Sequence, residues 1–339
     1  MKSEKPTFSV LIPAYKSEGI IGATIKSILN QTFGDFELII VDDNSPDNTE
    51  GIIKEFQKKD KRIKFFRNEK NLGYSGNLER CRRLASGKFI YLMGNDDILS
   101  KYALEKTLAA FEMDKDVGVV TRPYYWFENN KVNHAVRVVT PLDENEDKLI
   151  TIFDGKKVFR KVFESVGQLS GLAYKRAWMT EPIHPDIFPA HIYPFLAIFR
   201  EHKAVFLKDY ILAVRIFSSQ TRSLSSIYEP SPTFTWVRMF NKILKAKNFQ
   251  KPREWGIECI ALNYDGLVQI KNYARFPLFF KEVGLLIKYR PKNLLAPKFW
   301  FYVVGLTLIP RSVLIPLVDR YKRSVISKGI IGVKLANRK

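Results

Sequence analysis

Cysteine is scarce in this sequence: Cys81 and Cys259 are the only two, and they lie far apart with no Cys-x-x-Cys pair. Two distant thiols cannot build a disulfide framework or a zinc site of the usual spacing, which excludes small stapled domains. They suit a reducing compartment where both thiols stay free. The chain has 339 residues, 46% of them hydrophobic, and is long enough to bury a sizeable core.

Long apolar runs are also missing. A helix that spans a membrane needs roughly 20 consecutive apolar residues, and residues 299–318 reach that length only by including Pro310, Arg311 and Pro316. The polar start, residues 1–6, leads directly into a short apolar run and has no hydrophobic segment typical of a signal peptide. We therefore expect a cytoplasmic protein that does not cross the membrane.

Positive charge, by contrast, is abundant and uneven. The net charge is +20, and residues 226–339 hold 21 Lys or Arg against 6 Asp or Glu, which is +15 of that total. A basic region of this kind binds nucleic acid or an anionic membrane surface. Its aromatic residues lie in apolar clusters and not singly among basic residues, as a base-stacking surface would require. The clusters are 236–244, 276–287 and 299–318.

This pattern favours in-plane attachment to the inner face of the cell membrane over binding to nucleic acid. The alternative is that these helices pack onto the rest of the protein and leave a basic face in water.

Short apolar runs alternate with segments of helical spacing over the first hundred residues. The runs 8–12, 36–41, 62–66 and 89–93 have the length of buried strands. This alternation predicts an α/β fold with a mostly parallel sheet and right-handed crossovers. Because the carboxyl ends of parallel strands meet at one edge, the polar residues that follow them should cluster in a ligand site.

The acidic pair Asp96-Asp97 follows the fourth of these runs. Adjacent carboxylates repel unless a cation lies beside them, and Mg²⁺ or Mn²⁺ prefers one or two carboxylates together with substrate phosphates. The alternative is a turn in which Asp97 or Ser100 caps a helix that begins near Lys101.

Further strands are predicted at 117–120, 124–127 and 136–139, with the second and third of these forming a hairpin around Asn129-Asn130.

Four motifs carry a resemblance to a known family. They are Phe8-Ser-Val-Leu-Ile-Pro-Ala-Tyr15, Gln31 to Ser45 with Asp42-Asp43, Asn71-Leu-Gly73, and Ala85 to Asp97. In this order and spacing, the sequence resembles the inverting family 2 glycosyltransferases of the GT-A fold. The resemblance is strongest over residues 7–99, continues loosely to about 225, and does not cover the last third.

The resemblance implies a nucleotide-sugar site with a divalent metal, Mn²⁺ or Mg²⁺. Asp43 would recognise the base, Asp42 would hold its loop, and Asp96 would lie at the ribose. The residues implied at the nucleotide sugar are Pro13, Ala14, Tyr15, Glu18, Asp43, Asn71, Gly73, Asn95 and Asp96, with Asp97 as the metal ligand. Two positions depart from the family: Asn95 stands where many members have an acid, and Gly76 where many have Arg.

An inverting transfer also needs a base for the acceptor hydroxyl. The resemblance places His191 where the family usually has an acid, and His can act as a base near neutral pH, with an ordinary pKa of about 6.5. Asp186 or Glu181 is the alternative base. The resemblance also implies a strand that faces the acceptor at 168–174 and a closing strand at 205–217. In the latter, Arg215 occupies a usual Arg position and Phe217 replaces a frequent His. Residues 218–223 form either a lid or a polar loop.

Taken together, the sequence predicts a GT-A catalytic domain over residues 1–225, with a nucleotide-sugar-binding half (1–100) and an acceptor half (101–225). A basic helical extension, 226–339, follows. The expected function is metal-dependent, inverting transfer of a sugar from a nucleotide-diphosphate sugar to a hydroxyl of a glycan, lipid-linked, in surface polysaccharide biosynthesis. One alternative is a nucleotidyltransferase, but residues 13–19 after the first strand do not have the Gly-rich, basic sequence of a phosphate-binding loop. The other alternative is a basic protein that binds nucleic acid or membrane without transfer activity.

Overall fold

The structure is a computed structural model that describes residues 5–128, 130–216, 225–328, 330 and 332–336. The first hundred residues alternate strands with helices, as predicted. Their elements are β1 (Phe8–Ala14), α1 (Ile21–Leu29), β2 (Phe36–Asp42), α2 (Thr49–Lys59), β3 (Ile63–Arg67), α3 (Gly73–Leu84) and β4 (Phe89–Leu92).

The acceptor half contains shorter strands. In chain order its elements are β5 (Ile98–Leu99), α4 (Ala103–Glu112), β6 (Val117–Thr121), β7 (Tyr124–Phe127), β8 (Arg137–Val139), β9 (Lys148–Ile150), α5 (Lys156–Val166), β10 (Ala173–Lys175), α6 (Ile192–Phe199), β11 (Lys203–Phe206) and β12 (Leu212–Arg215).

Most of the described residues from 225 to 328 are helical. They form α7 (Pro232–Ile243), α8 (Gln250–Ala261), α9 (Gly266–Tyr273), α10 (Phe276–Tyr289), α11 (Pro297–Leu308) and α12 (Arg311–Lys328). Among the described residues, no helix combines the length and the apolar character needed to cross a bilayer.

Within the described residues, the strands form an eight-stranded sheet, β3-β2-β1-β4-β10-β6-β11-β9, and a four-stranded sheet, β5-β12-β7-β8. The pairs β3/β2, β2/β1, β1/β4 and β6/β11 are parallel. The pairs β4/β10, β10/β6 and β11/β9 are antiparallel. The predicted α/β class with a mostly parallel sheet is therefore confirmed, and β7 pairs with β8 as an antiparallel hairpin. Asn129 of that turn lies outside the described residues.

Two predicted strands are wrong in extent. Residues 205–217 do not form one strand, because Lys208 and Asp209 turn the chain: the Lys208 N–H donates to Asp147, and Asp209 pairs with Lys106. β11 and β12 therefore join different sheets. Residues 168–174 are mostly loop, because Gly171 has a φ of 80°, outside the strand region.

The predicted basic extension is not a separate unit throughout. In α7, Phe240, Ile243 and Leu244 are buried in the same hydrophobic cluster as β4, α5 and α6. The 236–244 cluster thus packs onto the predicted catalytic domain. For this segment, the structure agrees with the alternative given above, in which the helices pack onto the rest of the protein. A separate cluster begins at Ile227 and includes residues of α9 to α12.

Phe240 tests how far the catalytic core extends. Its ring lies 5.2 Å from that of Phe163, and it is fully buried. Phe240→Ala should lower the free energy of unfolding by roughly 3–5 kcal/mol, the usual cost of emptying a buried Phe site. The matched control on the same helix is Phe234→Ala, because Phe234 is 43% exposed; its effect should stay within about 0.5 kcal/mol.

Truncation also tests where the folded catalytic domain ends. A chain ending at Ser225 should unfold more easily than one ending at Leu262, because only the longer chain keeps α7 and α8. Equal midpoints of thermal unfolding for the two chains would support the predicted boundary at 225.

Candidate functional site

The loops that follow β1 and β2 hold each other through hydrogen bonds. The Lys16 N–H donates to Ser45 Oγ at 2.9 Å, and the Ser17 N–H donates to Thr49 Oγ1 at 2.8 Å. Glu18 accepts from the N–H of Asn48 at 2.7 Å. Glu18, predicted at the nucleotide sugar, therefore joins the two loops in this structure.

Asp42 and Asp43 end β2 and have different partners. Asp42 is fully buried, accepts from the Ser45 backbone and hydroxyl, and lies 3.3 Å from Arg67. Asp43 is 3% exposed and holds the start of α3: it accepts from the backbone N–H groups of Leu72 at 2.8 Å and Gly73 at 2.9 Å. These two bonds explain why α3 begins at Gly73.

Two asparagines that the resemblance did not assign complete this network. Asn68 donates to Asp43 Oδ1 at 2.6 Å and to Asn77 Oδ1 at 3.1 Å. Asn77 in turn donates to the carbonyl of Val41 at 2.9 Å. The predicted Asn71 donates to the carbonyl of Asp43 at 3.2 Å.

Three oxygens converge beside Gly94, at the end of β4. A Cβ added to Gly94 would lie 2.9 Å from Asp96 Oδ1, 3.0 Å from Ser170 Oγ and 3.2 Å from Asp97 Oδ2. Oxygen donors are what Mg²⁺ and Mn²⁺ prefer, and one or two carboxylates suffice when phosphates supply the rest. The donor chemistry of this group therefore fits a divalent metal, although no group of three or more His, Cys, Asp or Glu suited to a metal occurs in the described chain.

The two carboxylates of this group differ in their surroundings. Asp97 is 2% exposed and already accepts from Ser170 Oγ at 2.5 Å, Gln168 Nε2 at 3.1 Å and the Arg215 N–H at 2.9 Å. Burial, followed by the charge of Asp96, raises the pKa of Asp97 well above its ordinary value. Asp96 is half-buried, so its carboxylate is the more accessible of the two. The assignment of the metal to Asp97 stays a prediction that these contacts do not favour.

Among the other residues predicted at the nucleotide sugar, Pro13, Tyr15 and Asn95 are half-buried and Ala14 is fully buried. Asn95 donates to the carbonyl of Tyr15 at 3.4 Å and so joins the loops after β4 and β1. The predicted nucleotide-sugar residues thus come together along the carboxyl ends of β3, β2, β1 and β4.

His191, the predicted base, precedes α6 and has a partner at each ring nitrogen. Nε2 lies 2.9 Å from the carbonyl of Val166, so it carries the proton, and Nδ1 accepts from the Tyr74 hydroxyl at 3.0 Å. The side chain is 4% exposed, and burial lowers the pKa of His191 to about 4. The sequence-based value of about 6.5 is therefore wrong, because it took no account of burial.

The alternative bases serve to hold α7. Asp186 is 7% exposed, pairs with Arg238 and accepts from Tyr193 Oη at 3.2 Å. Glu181 pairs with Lys242 at 2.9 Å, one turn along α7 from Arg238. Neither carboxylate is without a partner. Phe217 and residues 218–223 lie outside the described residues.

Sequence reasoning missed the support that holds Asp97 in place. Ser170 and Gln168 were predicted as parts of an acceptor strand, and Arg122, buried behind them, was not singled out. A charged residue two positions after the apolar run 117–120 was the available signal, since an Arg at the end of a buried strand needs internal acceptors.

A comparison with known proteins bears on this site. The family description "Glycosyl transferase family 2" matches residues 9–172. An Escherichia coli relative, "UDP-Glc:alpha-D-GlcNAc-diphosphoundecaprenol beta-1,3-glucosyltransferase WfgD", is 34% identical over 142 residues, which cover 42% of this chain and 54% of the relative. The chain spans between 32% and 56% of the length of the first curated relatives that it matches.

Two solved structures share the fold. S. aureus TarS 1–349 in complex with UDP has a TM-score of 0.64 at 16% identity and covers 93% of this chain and 92% of its own. The mannosyltransferase PcManGT from Pyrobaculum calidifontis, in complex with GDP-Man and Mn²⁺, has a TM-score of 0.53 at 15% identity, covering 90% and 87%. The expected GT-A fold is confirmed.

With the four motifs gathered at one sheet edge and the family match beginning in β1 and ending just before β10, residues 9–172 form a glycosyl transferase family 2 domain.

Proposed function

We propose that this protein is a metal-dependent, inverting glycosyltransferase that moves a sugar from a nucleotide-diphosphate sugar to a hydroxyl of a lipid-linked glycan. The observation that carries the proposal is the convergence of Asp96, Asp97 and Ser170 beside Gly94, at the same sheet edge as the Asp43 network. A diphosphate lying across this edge would bring its negative charges to the oxygen cluster, where a divalent cation is needed to hold both.

Asp96 and Asp97 would hold the metal, which when bound supplies Lewis-acid stabilisation of charge on the leaving diphosphate. Asp96 is the more accessible carboxylate, and Asp97 is held rigidly by three donors. Arg215 donates through Nε to the Asp96 carbonyl at 3.0 Å and through its N–H to Asp97, so it fixes both acids from one side.

The donor nucleotide would lie over β1 and β2, against Tyr15 and the Asp43 loop. Asp43 accepts from Leu72 and Asn68 at Oδ1 and from Gly73 at Oδ2. A carboxylate has about four acceptor sites, so a donor group of the base would bind at the remaining site on Oδ2.

The proton of the acceptor hydroxyl would pass through Tyr74 to His191. Because Nδ1 of His191 is occupied by the Tyr74 hydroxyl, a proton reaches it only as that hydroxyl gives up its own and takes the acceptor's. A base with a pKa of about 4 remains deprotonated at neutral pH and is comparable in strength to the carboxylate that the family usually has here.

The lipid-linked acceptor is supported by the E. coli relative, whose name gives a diphosphoundecaprenol-linked sugar as substrate. The structure adds an exposed apolar ridge, which consists of residues four apart on α11 and α12 together with Phe301. Its members, between 42% and 77% exposed, are Trp300, Phe301, Val304, Leu308, Val313, Leu317 and Tyr321.

Exposed cations flank this ridge at Lys292, Lys298 and Arg320. Aromatic and aliphatic side chains that enter the acyl boundary while cations contact anionic headgroups are the pattern of an in-plane membrane helix. Such a ridge would hold the protein at the inner face of the membrane, where its acceptor lies.

The metal proposal predicts that Gly94→Ala removes the effect of Mn²⁺ on nucleotide binding, because the new Cβ would push the three oxygens apart. Binding of UDP and of GDP, with and without Mn²⁺, should be measured by calorimetry for the wild-type chain and the variant. Gly19→Ala is the matched control, since its Cβ would have no atom within 4 Å.

Asp96→Asn and Asp97→Asn then show which acid is the ligand. A wild-type chain whose binding of both nucleotides is indifferent to Mn²⁺ would overturn the metal proposal. Metal-dependent transfer that survives in Gly94→Ala would do the same.

The proton path predicts that Tyr74→Phe and His191→Ala both lower turnover by roughly 10²–10⁴ while nucleotide binding is kept. The wild-type rate should fall on the acid side near pH 4, since protonated His191 cannot accept a proton and its pKa is about 4. Full turnover in Tyr74→Phe would exclude this path. Loss of turnover in Asp186→Asn with an active His191→Ala would assign the base to Asp186.

The membrane proposal predicts weaker binding to vesicles when the ridge is made polar. Phe301→Ser with Leu308→Ser should lower affinity for phosphatidylglycerol vesicles at least about tenfold, because a buried Phe or Leu contributes about 1.5–3 kcal/mol. Phe153→Ser is the control, because Phe153 is 53% exposed and lies between β9 and α5, outside α11 and α12. Complete release of the wild-type chain by salt alone would show that the ridge does not insert.

A further inference from the structure

One arginine is buried within the predicted catalytic domain and, among the described residues, forms no ion pair with a carboxylate. Arg122 directly follows β6 and is fully buried, and within the described residues no Asp or Glu pairs with it. Burial lowers the pKa of Arg122 to about 10, so the guanidinium is charged at neutral pH. Burying an unpaired charge is costly, and a buried Arg of this kind calls for a specific explanation.

The guanidinium is used to hold one segment of backbone. Nη1 donates to the carbonyl of Ser165 at 3.0 Å, and Nη2 donates to the carbonyls of Gln168, at 2.8 Å, and Ser170. The segment therefore comprises the end of α5 and the loop that follows it. Gly171 makes room for the clamp, since a Cβ there would lie 2.8 Å from Arg122 Nε.

The clamped residues are the ones whose side chains hold the acidic pair. Gln168 Nε2 and Ser170 Oγ both donate to Asp97 Oδ2, and Ser170 Oγ accepts from the Gly94 N–H at 2.8 Å. The carbonyl of Val166, in the same segment, accepts from His191. The Arg122 guanidinium thus fixes the backbone segment that contacts both Asp97, in the proposed metal site, and His191, in the proposed proton path.

We infer that Arg122 is a positioning residue that clamps residues 165–170 so that Ser170 and Gln168 keep Asp97 and Gly94 in the arrangement needed by the metal and the donor diphosphate. The inference rests on the proposed metal site for its consequence, but the clamp itself is independent of any ligand. It requires the planar fork of Arg, because a Lys ammonium cannot reach three separated carbonyls in one plane.

Arg122→Lys keeps the positive charge but removes the planar guanidinium, so it tests whether holding the three carbonyls requires Arg. Hydrogen exchange of the unliganded protein should become faster in residues 93–97 and 165–171, including the Gly94 amide. The Mn²⁺-dependent gain in UDP affinity should fall by roughly 10–100-fold, the usual loss when a partner of a metal ligand is removed. UDP binding without Mn²⁺ should be unchanged.

The matched control is Arg200→Lys, because Arg200 also donates to a carbonyl, that of Ile243 at 2.8 Å, at the far end of α6. Ser170→Ala cuts the same chain of contacts one step later. The double variant Arg122→Lys with Ser170→Ala should bind UDP and Mn²⁺ no more weakly than the weaker single variant, since both act through one path.

Unchanged exchange in both segments, additive losses in the double variant, or an equal loss in Arg200→Lys would overturn the inference. If the wild-type chain shows no Mn²⁺-dependent binding of either UDP or GDP, the proposed function fails at that point, and the exchange result still decides whether the clamp exists. If Arg122→Lys does not fold, Ser170→Ala must by itself reproduce the faster exchange of the Gly94 amide, and normal exchange there overturns the clamp.

Discussion

The site depends on one constraint: four parallel strands end at the same edge, and the polar groups that follow them must find partners in each other's loops. A buried polar group without a partner costs about 1–3 kcal/mol, so each loop's conformation is tied to its neighbour's. Asp43 caps α3 across the gap from β2, Asn77 reaches back to the carbonyl of Val41, and Ser45 receives the Lys16 N–H. The pocket is therefore held by hydrogen bonds between loops and not by any loop alone.

This constraint explains which parts of the sequence could be interpreted in advance. The apolar runs at 8–12, 36–41 and 89–93 predicted β1, β2 and β4, because buried parallel strands are apolar on both faces. The loop partners are different, since a hydrogen bond such as Asn68 to Asp43 joins residues 25 positions apart. The pattern of apolar and polar residues along the chain does not predict such long-range pairs. The family resemblance predicted which residues belong to the site but not which of them bond to each other.

The acceptor half shows more clearly what the sequence alone does not predict. His191 was located by analogy with a carboxylate, but its low pKa follows from burial, and its tautomer depends on Val166 and Tyr74, which come from α5 and α3. Asp186 and Glu181 were plausible bases in the sequence because a free carboxylate heading a helix is a good proton acceptor. Their partners, Arg238 and Lys242, lie on α7, in a region that the resemblance did not cover.

Those two ion pairs also change how the helical region relates to the site. The loop leading to His191 contacts α7 through Asp186 and Glu181. Its Phe188 ring lies 5.7 Å from that of Tyr228, which belongs to the cluster that begins at Ile227. The same cluster packs against the helices that carry the exposed ridge. The helical region therefore contacts the loop leading to His191 at two places, through the ion pairs of α7 and through the ring of Tyr228. If α11 and α12 bind a membrane as proposed, these contacts would link that binding to the position of His191.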